Sequence, residues 1–375
     1  MKDGRTLVDL AKELERRANN KSDFIAKTSA ISLSVKDGVP ETDKDFDRLL
    51  QMNVGTERFG INEITHDQLG TYTGIPAAYY DRCRHEDPNL LATNVNTWIR
   101  RKAESRLVRT LDGNARAFLS DRYRPLENED LASAVLPILL DSGKYDLMSS
   151  EVTDRRLYLK VVGKELSREL AKTGNFLGDG EHKMVRVLYP AITISNSEVG
   201  LGALSIQRGL YDSGCSNLAT FGEKSLRKYH VGVKHDLMPE DLISLLSDDT
   251  RRKTDAALWG QVRDVVQAGF DAGRFNELVD QVEGAREDRI EKTADVTKVV
   301  KLASSKLGIT EGEQKGVLQA LIEGGDLTRF GIYNAVTRFS QEPSVSYDRA
   351  TELERIGAQV IELPKYEWQE IARAA

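Results

Sequence analysis

Hydrophobic periodicity predicts an α+β fold: a central, mostly antiparallel β-rich domain lies between an N-terminal helical segment and a C-terminal all-helical region. Three observations carry that prediction. Apolar residues recur at helical spacing before about residue 20 and again from Met238 onward. From Arg106 to Lys234, alternating runs bounded by turn residues take over. Asp112-Gly113-Asn114, between two such runs, is a tight-hairpin signal. The 375 residues exceed one minimal core, and the changes of period suggest units at 1–97, 98–236 and 237–375.

In order, Leu7, Leu10, Ala11 and Leu14 share a helical face, predicting a helix over about 6–19. Phe24 to Val35 alternates Ile and Leu with Ser and Thr, predicting one strand closed by Asp37-Gly38. Thr65 is the expected N-cap of a helix that breaks at Gly74, with Ile75-Pro76 opening a second. That pair has a helix-turn-helix outline, but Ala77, Ala78, Tyr79 and Tyr80 stand where base-reading polar groups belong. Two helices packed on each other is the preferred reading. A further helix follows Pro88 and ends at Trp98–Lys102.

The hairpin Arg106–Leu111 with Ala115–Leu119 leads through Ser120–Pro125 to a helix over Glu127–Leu140. Tyr145–Val152 and Arg155–Val162 read as a second strand pair, and Met184–Lys234 as further strands. Pro190 has no N–H for a ladder, so an edge, bulge or break is expected there. Beyond Met238 the apolar faces of Leu258/Val262/Val265/Val266, Phe275/Leu278/Val279/Val282, Val296/Val299/Val300/Ala303 and Ile332/Ala335/Val336/Phe339 predict successive helices. Thr310-Glu311-Gly312-Glu313 is a capping box, and Tyr347–Leu363 supplies a last helix.

Composition narrows the function classes. No apolar run approaches the roughly 20 residues of a membrane span, and MKDGRTLVDL has no signal-like apolar core. The expected compartment is cytoplasmic, with no membrane partner. Cys83 and Cys215 are far apart, and the five histidines form no metal-ligand spacing, so neither a metal nor a cofactor is expected. The net charge is −6, yet Trp98–His235 carries 22 Lys and Arg against 17 Asp and Glu. A basic centre between acidic flanks suits a polyanionic partner.

No phosphate-binding loop, dinucleotide fingerprint or nucleophile elbow is present. Asp179, Glu181 and Lys183 imitate a nuclease set but fall in the glycine-rich loop Gly174–Glu181, where solvated loop charges are the better reading. The residues favour a binding protein over an enzyme. In Arg155–Val162, Arg156, Tyr158 and Lys160 alternate onto one face and Leu157, Leu159 and Val161 onto the other. Cations interleaved with an aromatic ring suit single-stranded nucleic acid. Arg106, Arg109, Arg116, Arg122, Tyr123 and Arg124 extend the set, and Arg186, Arg227 and Lys228 complete a candidate phosphate path with Tyr123 and Tyr158 as stacking platforms. Asn196, Ser197, Glu198 and Gly200 form a polar turn whose expected role is structural.

Several blocks together carry a resemblance: Ala117–Leu126 (AFLSDRYRPL), Ile194–Gly200 (ISNSEVG), Cys215-Ser216-Asn217, Asn334–Arg338 (NAVTR) and Tyr347–Ala350 followed by Leu353-Glu354. In these blocks and their order, the chain resembles the phage/plasmid-like domain-of-unknown-function 932 family from about Thr65 to Leu363. Gly214 before the Cys-Ser-Asn block, and Leu218-Ala219 after it, depart from the family pattern. The resemblance implies a mobile-element protein with DNA as partner, and the cation–aromatic strand face makes single-stranded DNA the expected form. By analogy with ring-forming phage annealing proteins it implies a homo-oligomer that promotes strand annealing or recombination. The alternative expectation is a non-enzymatic interaction factor that grips a host or phage protein through its acidic helical C-terminal region.

Overall fold

The computed structural model describes residues 1–36, 49–170, 186–214, 216–228, 248–291 and 293–374, with backbone alone for 223–228 and 248–255. The fold is α+β, built on two six-stranded sheets. Helix α1 (Leu7–Asn20) starts where expected, with the Thr6 side chain accepting the Asp9 N–H as N-cap. The run read as one strand is two, β1 (Lys21–Lys27) and β2 (Ile31–Val35), separated by a single 3-10 turn at Thr28–Ala30. Thr-Ser-Ala holds no Gly or Pro to announce that turn. It is fixed from outside, by the Thr28 N–H donating to the Glu104 carbonyl at 2.9 Å. Asp37-Gly38 lies outside the described residues.

Strands β3 (Leu50–Val54), β4 (Glu57–Ile61), β5 (Ser105–Leu111) and β6 (Asn114–Ser120) complete the first sheet in the order β1-β5-β6-β4-β3-β2. Its β4–β6 pairing is parallel and the others are antiparallel. The β5–β6 turn has Asp112 and Gly113 at φ 50° and 76°, the left-handed pair a two-residue hairpin requires. This sheet pairs strands from both sides of the expected boundary at 97/98, whereas 236/237 lies outside the described residues.

Helices α2 (Glu63–Thr73), α3 (Ala77–Glu86) and α4 (Pro88–Arg100) cover one face of this sheet over Leu33, Met52, Val108 and Phe118. Asn62, not Thr65, caps α2. Thr65 is turned inward, its hydroxyl donating to the Ala115 carbonyl at 2.8 Å. Gly74, at φ 73°, ends α2, and Tyr80 of α3 bonds back to His66 at 2.9 Å, so the two helices pack on each other.

The second sheet is antiparallel: β7 (Tyr145–Val152), β8 (Leu157–Gly163), β9 (Arg168–Glu169), β10 (Val187–Asn196), β11 (Leu204–Asp212) and β12 (Asn217–Lys228). The order is β12-β11-β10-β8-β7, with β9 also on β10. Pro190 sits where β10 changes partner. Val187 and Leu188 pair with β9, and Ala191 onward pairs with β8, so the ladder on that side breaks at the proline.

One face of this sheet, with Leu157, Leu159, Val161, Ile192, Ile194, Leu204 and Ile206, packs under α1, α5 (Asn128–Asp141) and α6 (Asp248–Ala268). The C-terminal helices are α7 (Ala272–Glu287), α8 (Val296–Leu307), α9 (Glu311–Gly324), α10 (Arg329–Phe339), α11 (Tyr347–Glu362) and α12 (Lys365–Ala372). The capping box at Thr310 and Glu313 forms as predicted. Their core, around Val279, Val299, Leu321, Val336 and Leu353, reaches Leu210, Ala219 and Phe221 of the sheet. Among the described residues no helix is long and apolar enough to cross a membrane.

Candidate functional site

The β8 alternation is as expected, but its polar face is not open to solvent. Helix α11 lies across it. Tyr158 and Lys160 share that face with Thr193 and Ser195 of β10 and Ser205 and Gln207 of β11, which stand opposite one another in register. Three contacts pin α11 to the sheet. The Tyr158 hydroxyl donates to Asp348 Oδ1 at 2.8 Å, Lys160 Nζ stands 2.7 Å from Glu354 Oε2, and Ser149 Oγ and Tyr347 OH are 2.6 Å apart. Burial pushes the Tyr158 phenol up, and the Asp348 carboxylate adds to it.

Between this face and α11 remains a groove of about 600 Å3. Its floor is hydroxyl and amide: Thr193 and Thr220 share a hydrogen bond at 3.0 Å, Ser195 and Ser205 one at 3.2 Å, and Gln207 Nε2 has no partner among the described residues. Its walls carry Arg155, Arg156, Arg349 and Arg355 with Asp348 and Glu352. A second cleft of about 670 Å3, bounded by Gly60–Ile64, Arg84 and Asn114, shares Arg155 and Asp348 with the first. The two lobes thus meet at one wall, beside both sheets.

The four arginines differ in freedom. Arg155 is exposed and makes no ion pair among the described residues. Arg156 donates to the Leu201 carbonyl and lies flat on Gly202, where an added Cβ would stand 2.0 Å from its Nη2. Arg349 is held by Glu313 through two bonds of 2.7 Å, which hold that carboxyl at about 2. Arg355 stands 4.0 Å from Glu352.

The polar turn after β10 is part of a buried network that joins the two sheets. Arg116 donates to Glu198 Oε2 at 2.8 Å, and the Asn128 N–H donates to Glu198 Oε1 at 2.7 Å. Arg109, wholly buried, reaches the Glu198 carbonyl, Asp23 and Glu127. Burial pushes the Glu198 carboxyl up, but Arg116, the Asn128 N–H and Arg109 outweigh it and hold the group at about 2. Burial raises its neighbour Glu127, the Glu198 charge adds to that, and Arg109 and Lys21 oppose it. Asn196 donates to the Leu126 carbonyl at 2.7 Å, and the Tyr123 hydroxyl donates to the Ser197 carbonyl at 3.0 Å. The Gly200 N–H donates to that same hydroxyl at 3.2 Å.

The structure therefore separates the sequence-predicted residues. Arg156 and Tyr158 reach the groove. Lys160 lies behind its floor, fully buried against Glu354, and Arg116 is spent on Glu198, so in this conformation neither faces solvent. Tyr123 is half-buried with its hydroxyl bonded to the turn, and Tyr158 is 5% exposed beside Tyr347, which leaves the Tyr158 ring closed to stacking. Arg106 stacks between Tyr72 and Phe118 on the first sheet. Arg122, exposed, and Arg124, half-buried, lie beyond β6. Arg186 is at the far end of β10, bound to Asp212 and Asn334. Arg227 and Lys228 end β12 opposite Ser205 and Leu204. Asp179, Glu181, Lys183 and Cys215 lie outside the described residues. Among the described residues no three His, Cys, Asp or Glu side chains cluster as metal ligands.

Sequence reasoning missed Arg155 and the α11 set Asp348, Arg349, Glu352 and Arg355. The available signal was their spacing: 348, 352 and 355 form one polar stripe on a helix whose other face is apolar. Comparison with protein-family models, with curated proteins and with solved structures returned no match.

Proposed function

We propose that this chain binds single-stranded nucleic acid along the two-lobed groove under α11. The observation that carries the reading is that two polar clefts lie side by side, with Arg155 and Asp348 lining both, and together offer more polar surface than a single small molecule needs. Arg155, Arg156 and Arg355 would meet phosphates, and the hydroxyl and amide floor would meet sugar and base edges. Asp348 and Glu352 on the same wall keep the groove from attracting polyanions indiscriminately. The resemblance to a phage- and plasmid-borne family favours DNA, and strand annealing is the activity this reading extends to.

Fluorescence anisotropy with labelled oligothymidine tests it. Binding should be measurable at low salt and weaken with a log–log slope of about −0.7 per phosphate neutralised. Adding a complementary labelled pair then reports annealing. No binding at low salt overturns the proposal.

A further inference from the structure

Asn217, from the Cys-Ser-Asn block, and the Asn334–Arg338 block line no part of the groove, yet they meet elsewhere. Where α9, α10 and the first residues of β12 converge lies a separate cavity of about 570 Å3, bounded by Arg186, Asn217, Asn334 and Arg338. Asn217 is 1% exposed. Its Oδ1 accepts from Gln341, while its Nδ2 has no partner among the described residues. The Asn334 Oδ1 accepts from Arg186 Nη2 at 3.0 Å, so the group that amide has left to offer is its NH2. Leaving a buried amide N–H without an acceptor is costly, and a ligand carbonyl is the natural complement.

The charges around the cavity argue for an uncharged ligand. Arg186 is matched by Asp212, and Arg338 by Glu323 at 2.8 Å. Asp326 accepts from the Thr328 hydroxyl, and Glu342 stands at the exposed rim. Among the described residues that line the cavity both arginines are paired, and Asp326 and Glu342 would repel an anion; of the cations nearby, Lys2 donates to the Glu342 carbonyl and Arg286 lies over Phe330. Leu321, Ala320, Ala335 and Pro343 supply apolar wall for a flat ring.

We infer that this cavity binds a neutral, carbonyl-bearing heterocycle of the nucleobase type, with its carbonyl oxygens on the amide NH2 groups of Asn217 and Asn334. The inference is independent of the groove, whose ligand is chosen by phosphate. It predicts that a free nucleoside binds better than its own phosphate ester.

Isothermal titration of the whole chain with thymidine, thymidine 5′-monophosphate and inorganic phosphate tests it. Thymidine should bind saturably, the monophosphate about tenfold more weakly, and phosphate not at all through this site. Asn217→Leu should weaken thymidine by about tenfold or more, and the groove variant Arg155→Ala should not change it. Should Asn217→Leu fail to fold, Asn334→Ala, at a half-buried position, must show the same loss. Absence of thymidine binding, a monophosphate that displaces bound thymidine and holds its site more tightly than thymidine itself does, or undiminished affinity in the folded Asn variants overturns the inference.

Discussion

The two faces of the second sheet come from the same strands and differ in what they do. On one, Leu157, Leu159, Val161, Ile192, Ile194 and Ile206 meet three helices and exclude water. On the other, Tyr158, Lys160, Thr193, Ser195, Ser205 and Gln207 face α11 through ion pairs and hydroxyls, leaving a groove. An apolar face closes completely, since any apolar neighbour serves. A polar face closes only where partners match, so the unmatched remainder stays open. That contrast explains why the candidate site lies on the side with the worse packing.

The largest expected effect comes from the buried ion pair. Lys160→Met leaves Glu354 charged and uncompensated, and should lower stability by about 3–5 kcal/mol in urea denaturation. The double variant Lys160→Met/Glu354→Leu should recover most of that loss. If the double is no better than the single, the pair is not the coupled unit described.

On the apolar face, Ile194→Ala should cost about 2–5 kcal/mol by the same measurement. Nucleic-acid affinity per folded molecule should stay unchanged. A variant that folds normally but loses binding would break the division of labour between the faces.

Acid should act at the junction of the sheets. Glu198 is held at about 2 in the fold against an ordinary 4.5. Its contribution is therefore present above about 4.5 and lost as pH falls toward 2. Glu127, raised in the fold, contributes with the opposite sign: its share is present in acid and lost as pH rises through its folded value. Thermal melts of Glu198→Gln should show a flatter acid limb than the parent chain, beneath a lower plateau at neutral pH. An unchanged limb would remove Glu198 as its source.

The smallest effect separates position from charge. Gly202→Ala would push the Arg156 guanidinium off the backbone on which it lies, since the new Cβ would stand 2.0 Å from Nη2. Oligonucleotide affinity should fall by severalfold, on the order of 1 kcal/mol, with the chain still folded by circular dichroism. Undiminished affinity would show that Arg156 is not held in position for a ligand.

How much of this was legible in sequence depends on whether a feature is local. The α+β class, the Asp112-Gly113 hairpin, the Thr310 capping box and the inside–outside alternation of β8 all follow from residues within a few positions of each other. The turn at Thr28–Ala30 was missed because its partner, Glu104, is 76 positions away. The same limit misdirected the cation path. Arg116 and Lys160 are ordinary surface cations until Glu198 and Glu354, 82 and 194 positions on, come to meet them. What covers a polar strand face is a tertiary fact, and α11 covers this one. The groove residues on α11 were visible as a polar stripe, but nothing local said that it faces a sheet.

The most direct test of the account is the salt dependence of oligothymidine binding in the parent chain and in Arg155→Ala/Arg355→Ala, both wall cations outside the buried networks. The account predicts binding in both proteins, with the log–log slope shallower by about 1.4 in the variant, one phosphate lost per arginine. An identical slope and affinity in the two proteins would place the strand elsewhere and contradict the groove.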